Sequence, residues 1–281
     1  MGASAISVEL HCLSTSRVEF AFLSAMRRFP ALIFVALLAG LAPPPKATRA
    51  DTIAILPDRD NTLYEDPAGS LSNGSGHYLF AGLTLFNVRR RALLRFDVAG
   101  ALPPGAMIQS AAMTLTMSRG GSSPTPVALH RVLANWGEGG SIAAGEEGMG
   151  AAIQPGEAGW IHSVYPTTRW NTPGGDFDGA ESSTANVGNL GPFTWGSTAL
   201  LVANLNDMFI HPATNFGFVL IGSELDVPPT AKRFNSRENP DAATRPMLTI
   251  NYTVPGPGAG AVLMGAGMWG MRRRRGGRVG G

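Results

Sequence analysis

This sequence predicts an all-β fold: a two-sheet jelly-roll β-sandwich with one short helix, flanked by a signal peptide and a short C-terminal hydrophobic tail. Three observations predict the sandwich. Apolar and polar residues alternate with a period of two in several separate stretches, as in strands with one face in a core. Clusters of Gly, Pro and Asn punctuate those stretches, as turns require. No rhythm of strand, helix and strand runs through the chain, which argues against a parallel α/β sheet.

Each element has its own justification. Between Arg91 and Val98, Leu94, Phe96 and Val98 alternate with Arg95 and Asp97. Between Met107 and Met117, Met113, Leu115 and Met117 point one way while Thr114 and Thr116 point the other. Val127 to Val132, Phe216 to Ile221 and Met247 to Tyr252 read as further strands. Turns are expected after Leu102, Gly120, Asn171 and Asn189, each opening a run rich in Gly and Pro. The helix is expected over 197–210, with Ser197 as N-cap and Leu201, Leu205 and Phe209 on one face. Residues 137–158 form a long Gly-rich loop, a class of segment that often carries function.

The two ends carry addresses. Arg27 and Arg28 precede an apolar run from Phe29 to Leu41, and Thr48 and Ala50 are small residues at cleavage-determining positions. Residues 1–50 therefore read as a secretory signal peptide, with Met26 as an alternative start. At the other end, residues 254–281 combine a Pro/Gly linker, an apolar run from Ala259 to Met271, and Arg272, Arg273, Arg274 and Arg275. As a helix that run covers about 20 Å, short of about 30 Å of hydrocarbon, and its basic end should stay cytoplasmic. The tail resembles the PEP-CTERM class of bacterial sorting signals. Pro255 and Pro257 match its motif, with Gly256 where the class has glutamate. The resemblance implies transient membrane contact, a membrane processing enzyme as partner, and display at the cell surface or in the extracellular matrix.

Between the ends, 51–253 is long enough for one β-domain with its own core. From Asp51 to Met271 there are 12 Lys and Arg against 18 Asp and Glu, a net charge of −6. That balance argues against a nucleic-acid partner, which needs clustered cations. The only cysteine, Cys12, lies in the signal segment, so no disulfide holds the displayed body.

The runs Arg91-Ala-Leu-Leu-Arg-Phe-Asp-Val, Leu102-Pro-Pro-Gly, Ala134-Asn-Trp-Gly-Glu-Gly, Lys232-Arg-Phe-Asn-Ser-Arg-Glu-Asn and Arg245-Pro-Met-Leu-Thr-Ile-Asn-Tyr follow one another through the body. As an ordered set they resemble the DNRLRE repeat family, secreted β-sandwich domains related to carbohydrate-binding modules. The resemblance spans nearly all of 51–253. It implies a jelly roll, extracellular display and, for some members, binding of acidic polysaccharide.

Two groups of residues are candidates for a site. Asp58, Asp60 and Asp66, with Glu65, form one acidic stretch, and Asp176 and Asp178 form a second. Calcium takes six to eight oxygens, so these are candidate ligands for a structural calcium ion; capping of solvated turns is the alternative. Trp160, Trp170, Trp195 and Tyr165 lie in or beside loops, where aromatic faces suit stacking on sugar rings, and Arg169 adds a cation for an acidic sugar. Trp136 reads as structural. Arg237 and Glu238 read as a strand-end ion pair, with a ligand carboxylate on Arg237 as the alternative. For catalysis, His77, His130, His162 and His211 lack metal-hydrolase spacing, and no Gly-x-Ser-x-Gly elbow is present. The expected function is non-catalytic binding of extracellular polysaccharide. The alternatives are a structural matrix protein with protein partners and, third, an orphan polysaccharide-cleaving enzyme.

Overall fold

The computed structural model describes residues 49–225 and 229–255. Of the expected signal peptide, residues 1–48 lie outside the described residues, as do Pro257 and Arg272 to Arg275. Pro255 is the last one inside, and it is exposed.

The chain forms the expected all-β sandwich. One sheet is built around β6 (Met107–Gly120). On one side of β6 runs β12 (Gly191–Trp195); on the other, β15 (Met247–Val254) and β14 (Lys232–Asn235) follow one another. Beyond them lie β1 (Arg49–Ile55), paired with β15, and β4 (Tyr78–Leu83), paired with β14. The second sheet has the order β11 (Phe177–Val187), β7 (Thr125–Val132), β13 (Phe218–Gly222), β5 (Arg89–Arg95) and β2 (Arg59–Tyr64). All these pairings are antiparallel. Two small ladders lie apart: β3 (Leu71–Ser72) with β8 (Ala151–Ala152), and β9 (His162–Val164) with β10 (Thr168–Arg169).

One strand belongs to both sheets. Tyr78 to Ala81 of β4 pair with β14, whereas Gly82 and Leu83 pair with β5. The change of sheet falls at Gly82, whose φ of +111° is a conformation that residues with a Cβ rarely adopt. A Cβ there would also lie 2.9 Å from the Thr230 carbonyl oxygen. The two sheets are thereby one continuous curled sheet.

The main core lies between the sheets. Met113, Leu115 and Met117 of β6, Phe234 and Ile250 meet Ala92, Leu94, Leu129, Phe218 and Leu220 from the other side. The predicted alternation of β6 is therefore the inward face of the first sheet. Strand β5 ends at Arg95, but the expected alternation runs on to Val98, with Phe96 and Val98 buried in the core and Asp97 exposed. Asp97 turns the chain by accepting the Gly100 N–H at 3.0 Å, and Val98 opens a single helical turn, α1 (Val98–Ala101). The long helix is α2 (Ala199–Ile210), and its N-cap is Thr198 rather than Ser197. The Thr198 hydroxyl accepts the Leu201 N–H at 3.0 Å, while the Ser197 hydroxyl accepts from Ala111 on β6. Leu201, Leu205 and Met208 bury its inner face, with Phe209 packed at the edge. Among the described residues no helix is long and apolar enough to cross a membrane.

Gly82→Ala should destabilise the protein by about 2 kcal/mol or more, from the positive φ and the contact with Thr230. Thermal unfolding should show this as a fall of about 4–8 °C. An unchanged melting temperature would mean that the sheets are not joined through this corner.

Candidate functional site

Sheet β11-β7-β13-β5-β2 is apolar on both faces. Leu93 and Val219 alternate with the inward residues and point outward, where Leu63, Val132 and Ile221 join them. Such a face must be covered, and the segment from residue 133 to 175 covers it with Trp136, Trp160 and Trp170. Trp136 is fully buried and donates its indole N–H to the Phe216 carbonyl at 2.8 Å. Trp170 is 4 % exposed and donates to the Gly159 carbonyl at 2.9 Å. Trp160 is 7 % exposed, with the Arg91 guanidinium 5.1 Å from its ring centroid. Arg91 is held in turn by Glu224 and by the Gly174 carbonyl. Burying large rings with their N–H groups satisfied is the usual way to seal such a face.

The five residues expected to bind sugar therefore do not form one surface. Trp195 is fully buried in the other core, between the sheets, and donates to the Val127 carbonyl at 2.7 Å. Trp160 and Trp170 are walls of the second core, because an apolar sheet face gains more from covering than loops gain from displaying indoles. Tyr165 is half-buried with its ring edge-on to His162 at 5.2 Å. Only Arg169 is exposed, on β10 opposite His162.

The five predicted calcium ligands are also dispersed. Asp58 pairs with Arg95. Asp66 accepts from the backbone and hydroxyl of Ser70 at 2.8 and 2.7 Å, which holds its carboxyl below the usual range. Asp176 accepts from Asn171 and Thr172, and Asp178 from the Ala180 N–H. These four are ion-pair and turn-capping carboxylates. Asp60 alone enters a cluster, with Glu138 and Glu238, whose oxygens lie within 4.8 Å of one another. Asp60 is 1 % exposed and accepts the Arg237 N–H at 2.8 Å. Arg237 also places Nε 2.9 Å from Glu138 and 2.6 Å from Glu238, so the expected Arg237–Glu238 pair is present and shared. Burial, then the neighbouring Glu238, pushes the Asp60 carboxyl well up. Burial likewise raises Glu138. Among the described residues, this trio is the one group of three that can hold a metal ion, and Arg237 already supplies one positive charge to it.

Beside these acids sits a residue the sequence reading passed over. Asn61 is fully buried; its amide donates to the Ser72 hydroxyl and the Glu138 carbonyl, both at 3.0 Å, and its oxygen accepts the Asn73 N–H at 3.2 Å. It ties β2 to β3 and to the covering segment. The long loop is thus pinned rather than loose. Glu157, fully buried, accepts from Ser141 and Gln154 at 2.6 and 2.8 Å. Glu147 accepts from Asn73, His77 and Tyr78, each within 3.0 Å.

A wide concavity lies elsewhere. A groove of about 730 Å³ runs between the β4–β5 hairpin turn, residues 65–67 and residues 144–149. That volume is ample for a sugar unit or a short apolar side-chain cluster. Phe80 forms part of its floor, while Leu85, Phe86 and Met149 are 71 %, 77 % and 70 % exposed along it. The turn is tight: Asn87 donates to the Thr84 carbonyl and takes a φ of +58°. Two large apolar residues in the tip of a turn are the sequence signal for this groove. Arg90 lies beneath it, stacked on Tyr64 at 4.8 Å and bonded to the Gly148 carbonyl, which fixes the opposite wall. At one end Glu146 meets Arg119 at 3.0 Å and also Arg233. These two arginines, Arg233 first, hold the Glu146 carboxyl below its ordinary value.

No family model matches the sequence, and no curated protein matches it.

His162 offers a test of how tightly the covering segment is packed. It is 8 % exposed, its Nδ1 has no hydrogen-bond partner, and burial, then Arg169, lowers its pKa below 6.5. The folded state therefore binds protons less readily than the unfolded chain. Its contribution is whole above pH 6.5 and is lost as pH falls through the folded value. His162→Gln should flatten the acid limb of a melting-temperature profile below pH 6.5. Parallel profiles for the two proteins would show that His162 is solvated.

Proposed function

We propose that this protein is a secreted, envelope-displayed and non-catalytic module, and that it binds extracellular polysaccharide in the groove beside the β4–β5 hairpin. The observation that carries the reading is the groove's composition: exposed Phe86 and Leu85 over an apolar floor, with Arg119 and Glu146 at one end. An apolar face flanked by charged hydrogen-bonding groups suits the C–H face and the hydroxyl rim of a sugar ring. The tryptophans named from sequence have no part in this site.

The non-catalytic reading is supported by how the groove's carboxylates are engaged. Glu65 is paired with Arg89, Glu146 with two arginines, Glu147 with backbone amides, and Asp66 with Ser70. Asp66 and Glu146 are held low, the opposite of what a general acid needs. A second reading is favoured by one observation: Leu85, Phe86 and Met149 together form the kind of apolar surface that a protein partner covers. On that reading the module is a structural component of a surface matrix. If calcium contributes, its ligands are Asp60, Glu138 and Glu238.

Phe86→Ala should leave the melting temperature unchanged and abolish glycan retention on an array. Trp170→Ala should instead cost about 3–5 kcal/mol of stability through the lost ring. Retention that survives Phe86→Ala would remove the groove from the account. No retention of any glycan by the folded wild type, with calcium or with chelator, would favour the matrix reading.

A further inference from the structure

Arg119 on β6 and Arg233 on β14 are direct cross-strand partners in the first sheet. Like charges placed opposite one another on a sheet destabilise it, so the pair calls for an explanation beyond the strands themselves. Arg233 is held firmly: its guanidinium lies 3.7 Å from the Tyr78 ring centroid and donates from Nε to the Ser118 hydroxyl at 3.0 Å. Its next neighbour across the ladder is Phe80, on the groove floor. Arg119 is largely exposed and lines the groove. Both cations converge on a single oxygen, Oε2 of Glu146, which leaves the three groups with a net positive charge.

Glu146 is not needed to hold its own loop. The adjacent Glu147 is buried and bonded to two backbone amides and to Asn73. Gly148 is bonded to Arg90. The Glu146 side chain itself is 67 % exposed, and exposed ion pairs contribute little to stability. It can swing into solvent with the loop in place.

We infer that Arg119 and Arg233 form an anion subsite at the end of the groove, for a carboxylate or sulfate group on the bound glycan, and that Glu146 fills it as an internal competitor until such a group displaces it. The inference rests on the groove reading above. Arginine pairs suit both anions, because planar guanidinium groups bond two oxygens side by side.

The test is calorimetric titration of the full chain with three soluble polymers: polygalacturonate, dextran sulfate and a neutral β-glucan. Glu146→Gln should bind one or both charged polymers roughly three- to tenfold more tightly and the neutral one as before. Which charged polymer gains separates carboxylate from sulfate. Arg119→Gln added to Glu146→Gln should reverse the gain. Glu181→Gln, on the other sheet, makes the same change in net charge and should show no gain. Equal affinities for the charged polymers in the wild type, Glu146→Gln and Glu181→Gln would overturn the subsite. A gain in Glu181→Gln as large as in Glu146→Gln would overturn it too, as an effect of net charge alone. The groove reading fails separately, if Phe86→Ala leaves binding of every polymer unchanged.

Discussion

The rest of this structure depends on one constraint: the sheet containing β5 and β13 is apolar on both faces and must be covered twice. Ala92, Leu94, Phe218 and Leu220 face the other sheet, while Leu93 and Val219 face outward. Leaving the outer face to water would forfeit the transfer free energy of several large side chains, about 1.5–3 kcal/mol for each. The chain answers with a second layer that has almost no regular structure. Trp136, Trp160 and Trp170 supply its bulk, Asn61 and Glu157 satisfy parts of its backbone, and Glu147 anchors it to the His77 and Tyr78 amides. A loop can be buried only when its polar groups are met in this way.

That layer decides where a ligand can go. Residues with the chemistry of a sugar platform are consumed as its walls, with the Trp136 and Trp170 N–H groups on carbonyls and Arg91 over the Trp160 face. The groove lies instead on the outer side of the other sheet. There β4 leaves toward β5 at Gly82, and the hairpin tip with Leu85 and Phe86 stands beside the 144–149 wall. The sheet-switching corner and the groove thus share one strand. The floor carries Phe80, and two residues further on the strand changes sheet.

Much of the fold was legible in the sequence because period-two alternation is a direct imprint of a one-sided core. Met113, Leu115 and Met117 announced β6 and its inward face. The run Phe218-Val219-Leu220-Ile221 carried a further message, since an unbroken apolar run marks a strand buried on both faces. The candidate site was less legible for two reasons. Aromatic side chains in loops look alike whether they stack on a ligand or seal a sheet, and only their burial separates the two. Clustering of acids along the chain also misleads. Asp58, Asp60 and Asp66 lie close together in sequence, yet Asp60 meets Glu138 and Glu238 from distant segments, while the other two serve Arg95 and Ser70. Neighbours in a β-fold are set by strand register, which local sequence does not encode.

The most direct measurement of the central claim is hydrogen exchange at the tryptophan indole N–H groups, followed by NMR. Trp136, Trp170 and Trp195 each donate to a backbone carbonyl within a buried core, so their three signals should persist long after solvent-exposed amides have exchanged. Loss of the Trp170 signal at the rate of an exposed indole, in a protein otherwise folded, would contradict the account. The covering layer would then be open, and the sheet's outer face would again be a candidate binding surface.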